Sequence, residues 1–351
     1  MKRPQPDPDL DDLVHLFEMA TGMPVQPLEN HPLFDGPESP DLILSSESGT
    51  FVVETKSSGN AAHVSMAARL LVSLVGEGHH DAIPVVVVPY MGEVGRRICR
   101  DEGVGWLDRS GNAGITAPGL RIRIEGRPNR FKRRGRPDNA FAPKSSRVAR
   151  VLLTDPTKVW SQRSLAREAG MSEGYVSRVV RRLEADGLLA RDKQGAVRAS
   201  DPNVLLDAWS EAYDFSAHSI VKGHIPARTG EQLLSKVAAE LKSLGTEWAF
   251  TGLSGAWLLA PFAGFRLVTV YVKSKRISEQ LNRVGFRSEE RGANLWLVSP
   301  NDRGVFFGQQ RVRDFECVSA VQVYLDLAAH PERAEEAASE LRTQLLSWKT
   351  R

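Results

Sequence analysis

The sequence predicts a multidomain α/β protein with a helix-turn-helix and a strand hairpin near its middle. Three observations lead there. The chain has 351 residues, enough for two or three separate cores. Residues 83–88 form an apolar run of the kind buried on both faces of a sheet, and it stands between two helical periodicities. Residues 161–187 hold two helical patterns, each preceded by a serine and followed by a glycine.

Composition narrows the class. Hydrophobic content of 41% and charged content of 25% are those of ordinary globular protein. No apolar run reaches the roughly 20 residues of a membrane-spanning helix, so no membrane partner is expected. Met1-Lys2-Arg3-Pro4 leads into prolines and aspartates, not into an apolar signal segment. Cys99 and Cys317 lie far apart with no Cys-x-x-Cys, which argues against structural zinc and for a reducing, cytoplasmic setting. A formal net charge of +3 singles out no partner, so the local distribution of charge matters more.

The first domain is expected over residues 1–126. Residues 10–21 form an amphipathic helix with Leu13, Val14, Leu16 and Phe17 inward. A strand opens at Pro40-Asp41-Leu42-Ile43-Leu44 and a second spans 50–56. A helix at 61–75, the strand at 83–88, a helix at 91–102 and a short strand at 105–108 complete an α/β order. On a strand, positions i and i+2 share a face, so Glu54 and Lys56 project together. His79-His80-Asp81 reads as a solvated turn after Gly78, since adjacent histidines point apart in an extended chain. Residues 105–114 make a dense turn that either offers backbone amides to DNA or only joins two strands.

Pro40-Asp41 followed by Glu54-Thr55-Lys56 resembles the PD-(D/E)xK signature of restriction-endonuclease-like folds. The resemblance implies catalytic roles for Asp41, Glu54 and Lys56. Asp41 and Glu54 would ligate Mg²⁺, and Lys56 would orient the water that attacks phosphorus. Glu18 and Glu29 are candidate outer acids. If the signature is a relic, no cofactor is expected.

Residues 127–143 are expected to be a basic linker. From Arg127 to Arg150 there are nine Lys or Arg and one acid, Asp138, with three prolines and no apolar periodicity. Its centre, Lys132-Arg133-Arg134-Gly135-Arg136-Pro137, resembles an AT-hook core. That resemblance implies Arg134 and Arg136 reaching along an A/T-rich minor groove, with glycine allowing a close approach. The same composition also suits a basic segment drawn to phosphates without choosing sequence.

Residues 144–215 hold the central domain. Ser161 is placed to cap the first helix and Gly170 to end it, Met171 and Ser172 make the turn, and Ser172 is expected to cap a helix at 173–186. Val176, Val179, Val180 and Leu183 recur at helical spacing as its buried stripe. Strands at 188–191 and 196–198 around Asp192-Lys193-Gln194-Gly195 form a hairpin, and a helix at 203–215 follows. From Lys144 to Pro202 the pattern resembles a MarR-like winged helix-turn-helix. The resemblance implies double-stranded DNA as partner, with the second helix in the major groove. Candidate DNA-binding residues are Arg163, Ser172, Glu173, Tyr175, Ser177, Arg178, Arg181, Arg182, Arg191, Lys193 and Arg198.

Residues 216–351 form the last domain. A helix from 229, the stretch Trp248-Ala249-Phe250-Thr251-Gly252-Leu253-Ser254-Gly255-Ala256, a helix to 259 and a strand at 266–273 come first. Strands at 295–299 and 305–307 and helices at 318–329 and 332–346 follow. Helix, "FTGLSGA", helix, strand resembles a nucleotidyltransferase-like domain, as in AbiEi-type antitoxins. Active members of that family carry two metal-binding aspartates on the next strand, and Leu267-Val268-Thr269-Val270-Tyr271-Val272 has none. A non-catalytic domain for dimerisation or partner binding is therefore expected, with Gly252 and Gly255 allowing close packing. The whole order resembles antitoxin-type autorepressors and implies a sequence-specific DNA-binding regulator, working as a homodimer, with a toxin as a possible protein partner. The alternative is a Mg²⁺-dependent endonuclease targeted by its winged helix.

Overall fold

Two compact units divide the chain, residues 1–138 and 139–351, and each holds a seven-stranded sheet among its described residues. The computed structural model describes residues 10–28, 39–76, 82–117, 119–131, 140–261, 264–274, 277–328, 330–331 and 333–348.

The first unit runs α1 (Leu10–Thr21), β1 (Gln26–Pro27), β2 (Leu42–Ser46), β3 (Gly49–Thr55), α2 (Ala61–Val75), β4 (Ala82–Val88), α3 (Glu93–Asp101), β5 (Gly105–Asp108), β6 (Ala113–Ala117) and β7 (Leu120–Ile124). The strands lie in sequence order across the sheet. β3, β4 and β5 pair in parallel, and the flanking pairs are antiparallel. The period of two decides the faces. Phe51 and Val53 join Leu13 and Phe17 of α1 in one core, with Val85, Leu107 and Ile115. Val52, Glu54 and Lys56 alternate to the other face. α2 starts at Asn60, whose side chain accepts from the His63 amide, and packs on β3 and β4.

β6 and β7 were not among the expected strands, although Leu120, Ile122 and Ile124 alternate with Arg121 and Arg123 and lean on the α1 core. The turn at 108–112 is resolved by its bonds. Asp108 is fully buried and accepts from the Asn112 amide and side chain and from the Met91 amide. It joins β5 to β6. Residues 127–131, expected in the linker, continue the first unit. The Arg127 amide donates to Asn112 Oδ1 at 2.8 Å, and the Arg130 amide to Ser110 Oγ at 3.3 Å.

The second unit begins with α4 (Arg147–Thr154), α5 (Gln162–Glu168), α6 (Glu173–Ala185), the hairpin β8 (Leu189–Arg191) and β9 (Val197–Ala199), and α7 (Pro202–Ala212). It continues with β10 (Ser219–His224), α8 (Gly230–Ser243), β11 (Trp248–Thr251), α9 (Gly252–Leu259), β12 (Val268–Val272), α10 (Ile277–Gln280), β13 (Arg287–Ser288), β14 (Leu295–Ser299), β15 (Gln310–Val312), β16 (Phe315–Cys317), α11 (Ala320–Leu327) and α12 (Ala334–Leu345). Its sheet order is β13-β10-β14-β12-β11-β16-β15. The expected boundary at 215/216 does not separate two compact bodies. α4 packs against α5, α6, α7 and α11, and Arg147 forks onto Asp302 with both bonds at 2.7 Å. Arg342 of α12 likewise grips Asp207 of α7.

Two local expectations are corrected. Residues 303–306 form a 3₁₀ turn, not a strand, because the Asp302 carboxylate accepts from the Gly304 amide and curls the chain. Ser172 stands at the N-cap position of α6 with extended backbone but makes no capping bond through its hydroxyl. Ser161 does cap α5, accepting from the Ser164 amide. The glycine pair behaves as expected. A Cβ on Gly252 would lie 2.3 Å from His330 Nε2, and one on Gly255 would lie 2.9 Å from Val323 Cγ2. Cys99 and Cys317 are buried thiols, and burial pushes Cys99 up to about 12.

Candidate nucleic-acid interface

α5, the turn and α6 form the helix pair that the spacing predicts. Gly170 ends the first helix at φ +62°, a backbone conformation that favours glycine. Val176, Val179, Val180 and Leu183 are buried, which turns the other face of α6 outward. Ser172, Glu173 and Arg178 at its start are exposed, as are Arg181 and Arg182 further along; Ser177 is half-buried. The hairpin holds Arg191, Lys193 and Arg198 exposed, and a backbone bridge from Trp160 to Val197 anchors it.

The candidates divide by what they already touch. Arg163 pairs with Glu173 at 3.3 Å, Arg182 with Asp186 at 3.1 Å, and Arg191 with Glu184 and the Gly195 carbonyl. These are exposed pairs worth little, so a phosphate can displace them. Arg178 and Lys144 both lie over the Tyr175 ring, at 5.4 and 5.2 Å, and the Tyr175 hydroxyl lies 3.0 Å from Ser145 Oγ. Tyr175 is thus committed to holding α6 against the chain that enters α4. Lys193 and Arg198 have no ion-pair partner among the described residues. Arg134 and Arg136 lie outside the described residues, as do Glu29, His79, His80 and Asp81.

In the first unit Asp41, Glu54 and Lys56 all make bonds at the end of β3. Glu54 is 4% exposed, and Lys56 Nζ is ion-paired to its Oε1. The other oxygen, Glu54 Oε2, is buried with no partner. Asp41 turns to β3 instead, its Oδ2 accepting from the Thr55 amide at 2.7 Å and the Thr55 hydroxyl at 2.9 Å. Glu18 accepts from the Val25 amide at 3.4 Å and acts as a local brace. Among the described residues no group of three His, Cys, Asp or Glu could hold a metal. One orphaned carboxylate oxygen beside Lys56 suits a hard cation.

A buried polar network in the second unit escaped the sequence reading. Asp326 Oδ1 accepts from Tyr213 Oη, Tyr271 Oη and Gln322 Nε2, and its Oδ2 from Thr251 Oγ1. His218 Nε2 lies 2.9 Å from Tyr213 Oη and 3.1 Å from Tyr271 Oη, while its Nδ1 accepts from the Asn301 amide. His330 bridges the Asp326 carbonyl and Thr269 Oγ1. Burial lifts the Asp326 carboxyl to about 6 against the pull of its donors, and burial lowers both imidazoles to about 4. The available signal was Gln322 and Asp326 at i, i+4 on an apolar helix.

Comparison with known proteins agrees with this layout. Residues 161–190 match the family of winged helix-turn-helix DNA-binding domains. Residues 198–347 match the family described as transcriptional regulator, AbiEi antitoxin, type IV TA system. The chain is therefore a DNA-binding regulator with a winged helix and an AbiEi-like domain. Among curated proteins none matches it. A repair endonuclease from Pyrococcus abyssi aligns at 17% identity and TM-score 0.23, over 30% of this chain and 48% of its own. The chain thus spans about half of that structure, and a likeness this weak decides nothing. No helix among the described residues is long and apolar enough to cross a membrane.

Proposed function

We propose that the chain is a sequence-specific autorepressor of the antitoxin type, acting as a homodimer on double-stranded DNA. The observation that supports this best is the outward cationic face of α6 behind its buried valine stripe. α6 enters the major groove with Arg178 toward base edges, and Lys193 and Arg198 of the hairpin follow phosphates. One winged helix reads only a few base pairs, so two copies on a near-palindromic site supply the discrimination. The second sheet, whose β12 carries no acid, is read as a degenerate nucleotidyltransferase-like fold that serves assembly or a toxin partner. Arg134 and Arg136 add minor-groove or phosphate contacts.

A second reading, a Mg²⁺-dependent endonuclease in a restriction-endonuclease-like first unit, is favoured by the orphaned Glu54 oxygen beside Lys56. One experiment separates the two: purified chain and mixed DNA, with and without Mg²⁺, scored for retention and cleavage. Retention without cleavage is expected, and Arg178→Ala should cost about 1–3 kcal/mol on the retained sequence and less on random DNA. Mg²⁺-dependent cutting that disappears in both Asp41→Ala and Lys56→Ala would make the endonuclease primary.

A further inference from the structure

A cavity of about 320 Å³ opens in the second unit beside the end of α5. Its lining includes Arg147, Arg150, Lys273 and Arg303, against Glu168 and Glu247. Two of these cations are already neutralised. Lys273 pairs with Glu247 at 3.2 Å, and Arg147 with Asp302 at 2.7 Å. Arg150 and Arg303 have no ion-pair partner among the described residues.

Arg150 is the unusual member. It is 3% exposed, and its Nε and Nη1 have no hydrogen-bond partner. Trp209 covers its guanidinium, 4.9 Å from the ring centre. Burial pulls its pKa down, yet a guanidinium this basic keeps its proton. The Asp326 and Asp302 carboxylates favour its charge from nearby, but neither forms an ion pair with it, so the buried guanidinium keeps donors that an anion in the open cavity could meet. Arg303 lines the same cavity. A Cβ on Gly170 would lie 3.0 Å from Arg303 Nη2, so this guanidinium rests on the turn where no side chain intervenes.

We propose that this cavity is a binding site for a small phosphoryl oxyanion, held by the Arg150 fork and by Arg303. Two guanidinium groups lining one cavity suit a tetrahedral anion, whose several oxygens can accept from both. The site goes beyond the DNA-binding reading and does not depend on it, because occupancy is measured on the free chain.

The test uses the full-length chain with sodium phosphate against sodium chloride at equal ionic strength, followed by calorimetry and thermal melting. Phosphate is expected to bind saturably and to raise the melting temperature where chloride does not. Arg303→Ala, an exposed position, should weaken phosphate binding by about tenfold or more. Arg150→Met should abolish the phosphate response while leaving the melting temperature without phosphate equal or higher. Arg266→Ala, exposed and away from the cavity, should change neither. Equal shifts in phosphate and chloride, or an unchanged phosphate response in Arg303→Ala, would overturn the proposal. If Arg150→Met does not fold, Arg303→Ala alone decides.

Discussion

Glu54 in the first unit and Asp326 in the second are both buried carboxylates, and their surroundings treat them in opposite ways. Asp326 meets four side-chain donors from α7-adjacent chain, β11, β12 and its own helix, so both oxygens are satisfied. Glu54 meets one ammonium group and leaves an oxygen bare. A saturated carboxylate fixes the positions of the elements that donate to it. A half-satisfied one contributes less to specifying the fold and keeps a chemical capacity in reserve. Sequence motifs drew attention to the second kind, whereas the first kind organises the AbiEi-like domain.

The largest expected effect tests the saturated side. Asp326→Ala strands Tyr213, Tyr271, Gln322 and Thr251 together and should cost about 3–5 kcal/mol of stability by urea unfolding. A loss below about 1 kcal/mol would mean that water replaces the carboxylate, and the contrast with Glu54 would collapse. On the other side, Lys56→Met leaves the Glu54 carboxylate buried without its counter-ion and should cost about 3 kcal/mol. The double variant Glu54→Gln, Lys56→Met should recover most of that. If single and double variants lose alike, the pair is not the energetic unit.

The smallest effect is a pH slope. His218 and His330 titrate near 4 when folded against 6.5 in the free side chain. Between those values the unfolded chain binds protons that the fold refuses, so each histidine removes stability as pH falls. Asp326, near 6 folded against 3.8, acts the other way: the fold holds a proton that the unfolded chain has released, which favours it at low pH and is lost as pH rises to about 6. Two histidines against one aspartate leave one extra proton on the unfolded chain between pH 4 and 6. Stability should fall by about 1.4 kcal/mol per pH unit on acidification in that window. His330→Asn should flatten the slope, and Asp326→Asn should steepen it.

How much was legible follows from the reach of each signal. The capped α5, the valine-striped α6 and the doubly buried β4 were readable because their causes are local. β7 carries its own local signal, Leu120, Ile122 and Ile124 alternating with Arg121 and Arg123, but it is only five residues long and two of them are charged. α4 was obscured by Arg150, a charged residue inside a buried face, next to a basic segment. Pairing of Glu54 with Lys56 was accessible from strand geometry, but the turn of Asp41 toward Thr55 depends on side-chain competition that spacing does not encode. The Asp326 network unites residues from Tyr213 to His330, each a lone polar group in an apolar element. Nothing local marks them as neighbours.

The fork of Arg147 on Asp302 has a consequence for how DNA would be measured. It helps make the reading helix and the second sheet parts of one compact body. Two copies joined through that sheet would carry their reading helices at a set separation, like the jaws of a calliper. The duplex supplies the scale, since its major groove returns to the same side about every 34 Å. Half a turn inserted between half-sites rotates one of them out of reach, while the bases inside each half-site stay unaltered. Part of the operator's specificity would then reside in a length, written in base pairs that no side chain touches.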